Sequence, residues 1–244
     1  MTATDIERIP RIERREAPEL ATEEYRRFAA LAAEVAPEDW TRPTDCPGWT
    51  VRDQFAHVAG AMAGTSLREG SRQRKVASER AKLSGRTFID EMNQLHIDDR
   101  AGVAEAEVAH ELQTRTAPAV RARRLVPGPL RRREIPNSGG LTMGELLDVV
   151  LTRDVWMHRL DVCRAVDRPP HLTPEHDGRL VADVVRDWAD RHGQPFTLTL
   201  TGPAGGSFRR AGDGPELQHD AVEFCRILSG RAPGEGLLAT QVVF

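Results

Sequence analysis

The sequence predicts an α+β protein, a helix bundle followed by a small α+β domain, and two observations carry that expectation. Through the first two thirds of the chain, apolar residues recur at helical spacing behind recognisable cap residues. After Pro169-Pro170 the pattern changes, and FTLTLT at 196–201 alternates apolar residues with threonine, as a half-buried strand does. The chain has 244 residues, 39% hydrophobic and 29% charged, enough to bury a substantial core. The expected division is a mobile arm over 1–17, a helical domain over 18–168 and an α+β domain over 169–244.

Residues 1–17 are charged and aperiodic, which predicts an extended or mobile arm. The first helix spans Pro18 to Ala36, with Tyr25, Phe28, Leu31 and Val35 on one face and Pro37 as its stop. The turn-rich RPTDCPGWT follows. Thr50 is placed to cap a second helix, VRDQFAHVAG, with Asp53 at its third position reaching back to the cap. Thr87 caps a helix through Phe88, Ile89, Met92 and Leu95, and a weaker one runs through Val108 and Leu112. Pro127 to Gly140 reads as a loop delivering the chain to Thr142-Met-Gly-Glu145, a capping box that opens a long helix ending near Asp167. About four amphipathic helices in this region make a bundle the natural arrangement.

Beyond the prolines, Thr173-Pro174 begins a helix with Leu180, Val181, Val184, Val185 and Trp188 on its apolar side. The strand at 196–201 is followed by turns from Gly202 to Gly214, with a short strand at Ser207–Arg210. Asp220 caps a short helix carrying Ala221, Phe224, Cys225 and Leu228, and the terminal TQVVF reads as a strand.

Several function classes are disfavoured. A net charge of −3 offers no basic excess for nucleic acid or an anionic membrane. The sequence has no unbroken apolar stretch of the ~20 residues a membrane helix needs, and its first residues lack a signal-like apolar core. The three cysteines, Cys46, Cys163 and Cys225, form no C-x-x-C pair, which fits a reducing compartment and a cytoplasmic protein. Cys163 and Cys225 read as packing residues, and a structural role is preferred for Cys46.

Chemistry concentrates on the helix opened at Thr142. Steps of ~100° place Met143, Leu147, Val150, Asp154, His158, Asp161 and Ala165 on one stripe. Its upper half is apolar and should face the core, and its lower half is ionisable. Buried carboxylates and imidazoles need partners, and Asp154 and His158, one turn apart, can converge on a single point. A metal ion satisfies both. A metal-free Asp–His pair within one helix satisfies them too, and spacing alone favours it. His57 lies away from the apolar stripe of the second helix, on a face lined by the small residues Gly60, Ala61 and Gly64. An exposed or locally bonded histidine is equally compatible with that position. The other histidines, His96, His110, His171, His176, His192 and His219, are scattered, and most read as surface residues.

The segments PTDCPGWTVRDQFAHVAG (43–60), TRDVWMHRLDVCRAVDRP (152–169) and DAVEFCRILSGR (220–231) resemble the mycothiol-dependent maleylpyruvate isomerase family. That family belongs to the DinB-like bundle superfamily, and the similarity extends over nearly all of the chain after residue 18. It implies an N-terminal DinB-like four-helix bundle holding a divalent metal, usually zinc, and a C-terminal α+β domain contributing to the active cleft. The implied ligands are His57, Asp154 and His158. Active relatives carry Glu where this chain has Asp154, one methylene shorter. A basic residue of the C-terminal domain is implicated in activity, here Arg231.

Two imidazoles and a carboxylate resemble a catalytic zinc site with an open position. A thiol entering it loses its proton and becomes a nucleophile. The resemblance therefore implies mycothiol as cosubstrate and a small electrophile as substrate, with either cis–trans isomerisation or S-transfer as the outcome. A non-catalytic DinB-like protein binding a metal or small molecule is the alternative, kept open by the shorter Asp154 side chain. Neither the electrophile nor the oligomeric state is legible.

Overall fold

The computed structural model describes residues 3–135 and 139–244 and divides into two compact units. The first is Arg14–Pro169. The second combines the described part of Met1–Glu13 with Pro170–Phe244.

The first unit is helical: α1 (Ala17–Glu34), α2 (Val51–Ala63), α3 (Leu67–Ser84), α4 (Phe88–Asp98), α5 (Glu105–Leu125), the short α6 (Gly128–Arg131) and α7 (Met143–Glu145), and α8 (Leu151–Ala165). Helices α1, α2, α5 and α8 pack on one another, and α3 and α4 form a pair laid against α2. The shared core is built from Tyr25, Phe28, Phe55, Met62, Leu112 and Val155, joined by Trp40 from a 3-10 turn at Pro37–Thr41. Phe55 is its aromatic centre, with ring centroids 5.0 Å from Phe28 and 4.9 Å from Trp40.

The caps behave as the sequence expects. Thr50, Thr87 and Thr142 each close a capping box, with Asp53, Asp90 and Glu145 reaching back to the cap nitrogen. Helix α3 has no counterpart among the expected elements. Only Gly70, Gln73 and Ala77 are buried along it, so it presents no apolar stripe. Its ends hold it instead: Ser66 accepts the Glu69 N–H, and Gly85 closes it in the left-handed conformation. Part of the expected loop over 127–140 is the helical turn α6, and positions 136–138 of that loop lie outside the described residues.

The helix opened at Thr142 is not uniform. Leu146–Val150 is a π-helical segment, where the Leu151 N–H reaches back five residues to the Leu146 carbonyl. A 100° step therefore does not hold across it. The consequence runs against expectation: Met143 and Leu147 are only half-buried, whereas His158 and Asp161, on the polar half of the stripe, are 4% and 1% exposed.

In the second unit, α9 (Asp177–His192) and α10 (Ala221–Leu228) accompany a four-stranded sheet of β1 (Thr4–Asp5), β2 (Phe196–Thr201), β3 (Gly206–Arg210) and β4 (Glu216–Asp220). Strand order is β1-β3-β2-β4, with β2 antiparallel to β3 and parallel to β4. Phe196, Leu198 and Leu200 point inward and the threonines outward, as the alternation requires. Trp188 centres this core, its ring 4.8 Å from Phe196 and 5.3 Å from Phe224.

Two expectations are corrected here. The N-terminal residues do not form a mobile arm: Thr4 and Asp5 pair in parallel with β3, and Ile6, Ile9 and Ile12 are buried. Asp183 accepts the Ile12 N–H at 2.9 Å, and Arg186 donates to the Ile6 carbonyl. Charged residues between these isoleucines hid the anchor points from a periodicity test. The terminal TQVVF is not a strand either. Val242 donates one backbone hydrogen bond to the Leu228 carbonyl and buries its side chain at the end of α10.

A buried ion pair links α1 to α8. Arg159 Nε donates to Glu24 Oε1 at 2.6 Å and its Nη2 to Oε2 at 3.2 Å, with Glu24 wholly buried. Removing one partner strands the other's charge, so Glu24→Ala is expected to cost about 3–5 kcal/mol of unfolding free energy. Denaturant unfolding followed by far-UV circular dichroism reads this. The change Glu23→Ala, at a half-buried residue paired with Arg26 and Arg27 on its own helix, should stay within about 1 kcal/mol.

Candidate metal centre

The capping box at Thr50 sets the start of α2 and places His57 on its second turn, 5% exposed. Helix α8 carries Asp154, His158 and Asp161 toward it. The three residues expected as ligands converge: the ligand atoms of His57, Asp154 and His158 all lie within 4.8 Å of one another. Asp154 is the hinge of the group. Its Oδ2 lies 3.4 Å from His57 Nε2, and its Oδ1 lies 3.2 Å from His158 Nε2.

These separations are long for hydrogen bonds, which cluster near ~2.9 Å. They also match the edge of a coordination tetrahedron, about 3.3 Å for ligand bonds of about 2.0–2.1 Å. The donor set, two imidazole nitrogens and one carboxylate, suits zinc and related divalent metals. Among the described residues, Cys46, His158 and Asp161 form a second group of this kind, on the other ring nitrogen of His158.

Burial works against a charged Asp154, yet the His158 charge and hydrogen bonds from both imidazoles hold its carboxyl well below the usual range. Burial likewise disfavours a protonated His158, but Asp154 and Asp161 raise its proton affinity well above that of an ordinary imidazole. Asp154 keeps its side chain 25% exposed, so the group is reached from its side.

Surrounding residues fix the rings. On the far side of His158, Nδ1 lies 3.5 Å from Asp161 Oδ2, and Gln54 Nε2 donates to that same oxygen at 3.2 Å. The turn at 44–49 is tied by Thr44 N–H to the Trp49 carbonyl and Trp49 N–H to the Cys46 carbonyl. It lays the Trp49 indole beside both imidazoles, 5.7 Å from His158 and 5.1 Å from His57 between ring centroids. The same turn puts Cys46 Sγ 3.9 Å from His158 Nδ1 and 3.6 Å from Asp161 Oδ2. Cys46 therefore borders the centre, beyond the structural role expected of it.

His96 is a further correction. It is 4% exposed rather than superficial, and its Nδ1 faces His57 Nδ1 at 3.4 Å. Burial, the neighbouring His57 and Arg100 push its pKa down to about 3, so it is neutral. His176 is buried as well, in the other unit. Sequence reasoning missed Trp49 and His96 as site residues; the small-residue face of α2 was the available signal for a close neighbour at His57.

Arg231 belongs to the second unit. Gly230, at φ +78, ends α10 in the left-handed conformation, and the Arg231 N–H returns to the Arg226 carbonyl. That turn puts Arg231 on the wall of a pocket of about 380 Å³ shared with Ile227, Leu238 and Gln241. Cys163 and Cys225 are buried, as their packing role requires.

The family model of the mycothiol maleylpyruvate isomerase N-terminal domain matches residues 21–163. In fold, the chain is similar to the crystal structure of a mycothiol-dependent maleylpyruvate isomerase, with a TM-score of 0.56 and 16% identity over 95% of this chain and 93% of that one. A crystal structure of a histidine-to-alanine variant of the mycothiol-dependent maleylpyruvate isomerase gives 0.55, with the same identity and coverage. No curated protein sequence matches. No helix among the described residues is long and apolar enough to cross a membrane.

Cysteine exposure offers a direct check on the turn at Trp49. Cys46 is half-buried and the other two cysteines are buried, so a thiol reagent applied to the folded protein should modify about one cysteine per chain. Cys46→Ser should reduce this to none, whereas denaturant should open the remaining thiols. Equal labelling of Cys163 in the folded state would contradict the core packing of α8.

Proposed function

We propose a function from one premise: the chain belongs to the mycothiol maleylpyruvate isomerase family. The protein is a metal-dependent enzyme that activates the low-molecular-weight thiol mycothiol for attack on an electrophilic small molecule, as a cis–trans isomerase or S-transferase. The observation that carries this reading is the convergence of His57, Asp154 and His158 at separations suited to one tetrahedral ion.

A divalent metal held there, zinc by its donor preference, supplies Lewis-acid chemistry that favours a thiolate over a thiol of pKa ~8.5. The chain's own residues do the rest. Asp154 stays anionic and balances the charge at the centre. Asp161 accepts the Nδ1–H of a neutral His158, which leaves the Nε2 lone pair facing Asp154 and His57. Trp49 covers both imidazoles and limits water on that side. The mycothiol sulfur then adds to an electron-poor alkene carbon. Rotation about the resulting single bond and expulsion of the thiolate give the trans isomer, whereas protonation of the carbanion leaves a thioether.

Arg231 is proposed as the basic residue that meets an anionic group of a reactant; its position on a pocket wall supports a contact with solute. One observation favours a second reading. Asp154 places the carboxylate a methylene short of the family's Glu, which suits a protein that binds metal and thiol without turnover.

Elemental analysis of the purified protein is expected to find about one metal per chain. His57→Ala and His158→Ala should both lose it, together with mycothiol-dependent consumption of a maleylpyruvate-type electrophile. Full occupancy in His57→Ala would remove the three-ligand centre. Stabilisation by metal and mycothiol without turnover across a panel of electrophiles would decide for the binding protein.

A further inference from the structure

We propose that His96 is a positioning residue that sets the tautomer of His57 and thereby the metal affinity of the centre. The proposal rests on the metal-centre reading above. Its basis is a meeting of two ring nitrogens: His57 Nδ1 and His96 Nδ1 face each other at 3.4 Å, on α2 and α4, with both rings almost fully buried. The meeting is built in. A Cβ added at Gly60 would fall 2.5 Å from His96 Cβ, so a glycine one turn after His57 is what lets the second ring come this close. Gln73 Nε2 donates to the Gly60 carbonyl at 3.0 Å, holding α3 against the same point.

Only one hydrogen fits between the facing nitrogens, which leaves two arrangements of the neutral pair. In the first, His96 Nδ1–H donates to His57 Nδ1. The His57 proton then sits on Nε2 and points at Asp154 Oδ2, 3.4 Å away, where it occupies the position a metal would need. In the second, His57 Nδ1–H donates to His96 Nδ1, and the His96 proton moves to its own Nε2. His57 Nε2 now turns a lone pair toward the Asp154 carboxylate, an arrangement that calls for a cation between them. Both arrangements hold the same two protons, so the exchange releases none.

His96 Nε2 is buried and has no hydrogen-bond partner among the described residues. A residue present only to fill space would satisfy or omit that nitrogen. An imidazole in this place is explained by its other nitrogen, which accepts from His57 in the metal-ready arrangement. His96 thus does for His57 what Asp161 does for His158: it accepts the hydrogen bond from Nδ1–H, so that Nε2 carries the lone pair.

The test uses the full chain with His96→Leu, His96→Gln and Gly60→Ala, folding being verified by circular dichroism. Zinc affinity is measured by competition with a chromophoric chelator, and the His57 tautomer by ¹⁵N chemical shifts of labelled histidine, with and without zinc. His96→Leu and Gly60→Ala are expected to weaken zinc about 10–100-fold. His96→Gln, whose Oε1 accepts the same hydrogen, should recover most of that loss. Affinities within about twofold of the unaltered protein, with the His57 shifts unmoved, would overturn the proposal. If the unaltered protein takes up no zinc, the centre itself is misread; the shifts then decide alone, and an unchanged His57 tautomer in His96→Leu ends the proposal.

Discussion

The structure of the helical unit turns on one carboxylate. Asp154 stands between His57 on α2 and His158 on its own helix, and each of its oxygens faces one imidazole. Two nearly buried imidazoles and a carboxylate cannot be left without partners at tolerable cost. The rest of the neighbourhood is arranged to keep them together. The Thr50 capping box fixes where α2 begins, the 44–49 turn brings Trp49 over both rings, and Gln54 and Asp161 hold the far side of His158. The apolar core lies elsewhere, around Phe55, and the Glu24–Arg159 pair joins α1 to α8.

That separation accounts for the burial pattern along the helix opened at Thr142. A purely structural helix would bury its apolar upper half and expose its ionisable lower half. Here the polar half is the deeper one. The π-helical segment at Leu146–Val150 lies between the two halves and breaks the register that would otherwise face Met143, Leu147 and Asp154 the same way. Such segments recur at functional sites because they change the aim of the residues that follow. With them goes a tolerance of half-buried leucines at 146 and 147.

Much of this was legible in the sequence, for identifiable reasons. Caps are local: Thr50, Thr87 and Thr142 declare themselves through residues three positions on, and all three hold. Strand alternation at 196–201 is local too. The pair Asp154–His158 could be seen because it interrupts an apolar stripe one turn apart. His57 required the family resemblance, since its face carries glycine and alanine rather than a stripe. Helix α3 escaped because it buries little; a serine cap, Glu69 and Gly85 were its signals, and periodicity looks for none of them. The N-terminal segment escaped for the opposite reason. Its isoleucines are spaced three apart among charges, and their partners lie more than 170 residues away in sequence, at Asp183 and Arg186.

His96 and Trp49 show where single-sequence reading stops. Trp49 lies within the segment 43–60 but carries no ligand atom to draw attention to it, and His96 belongs to no motif and reaches the centre from α4, which contributes no expected ligand. Their roles follow from valence. A neutral imidazole that ligates through Nε2 carries its proton on Nδ1, and an acceptor beside Nδ1 fixes that tautomer. In the proposed centre, His158 and His57 would meet this demand with different groups, a carboxylate and a second imidazole. The difference has an electrostatic consequence. An anion behind each ligating histidine would add two negative charges to a centre that already holds Asp154. In the proposed centre, neutral His96 behind His57 would keep one of those charges out, leaving the open face of Asp154 less repulsive to the thiolate proposed above.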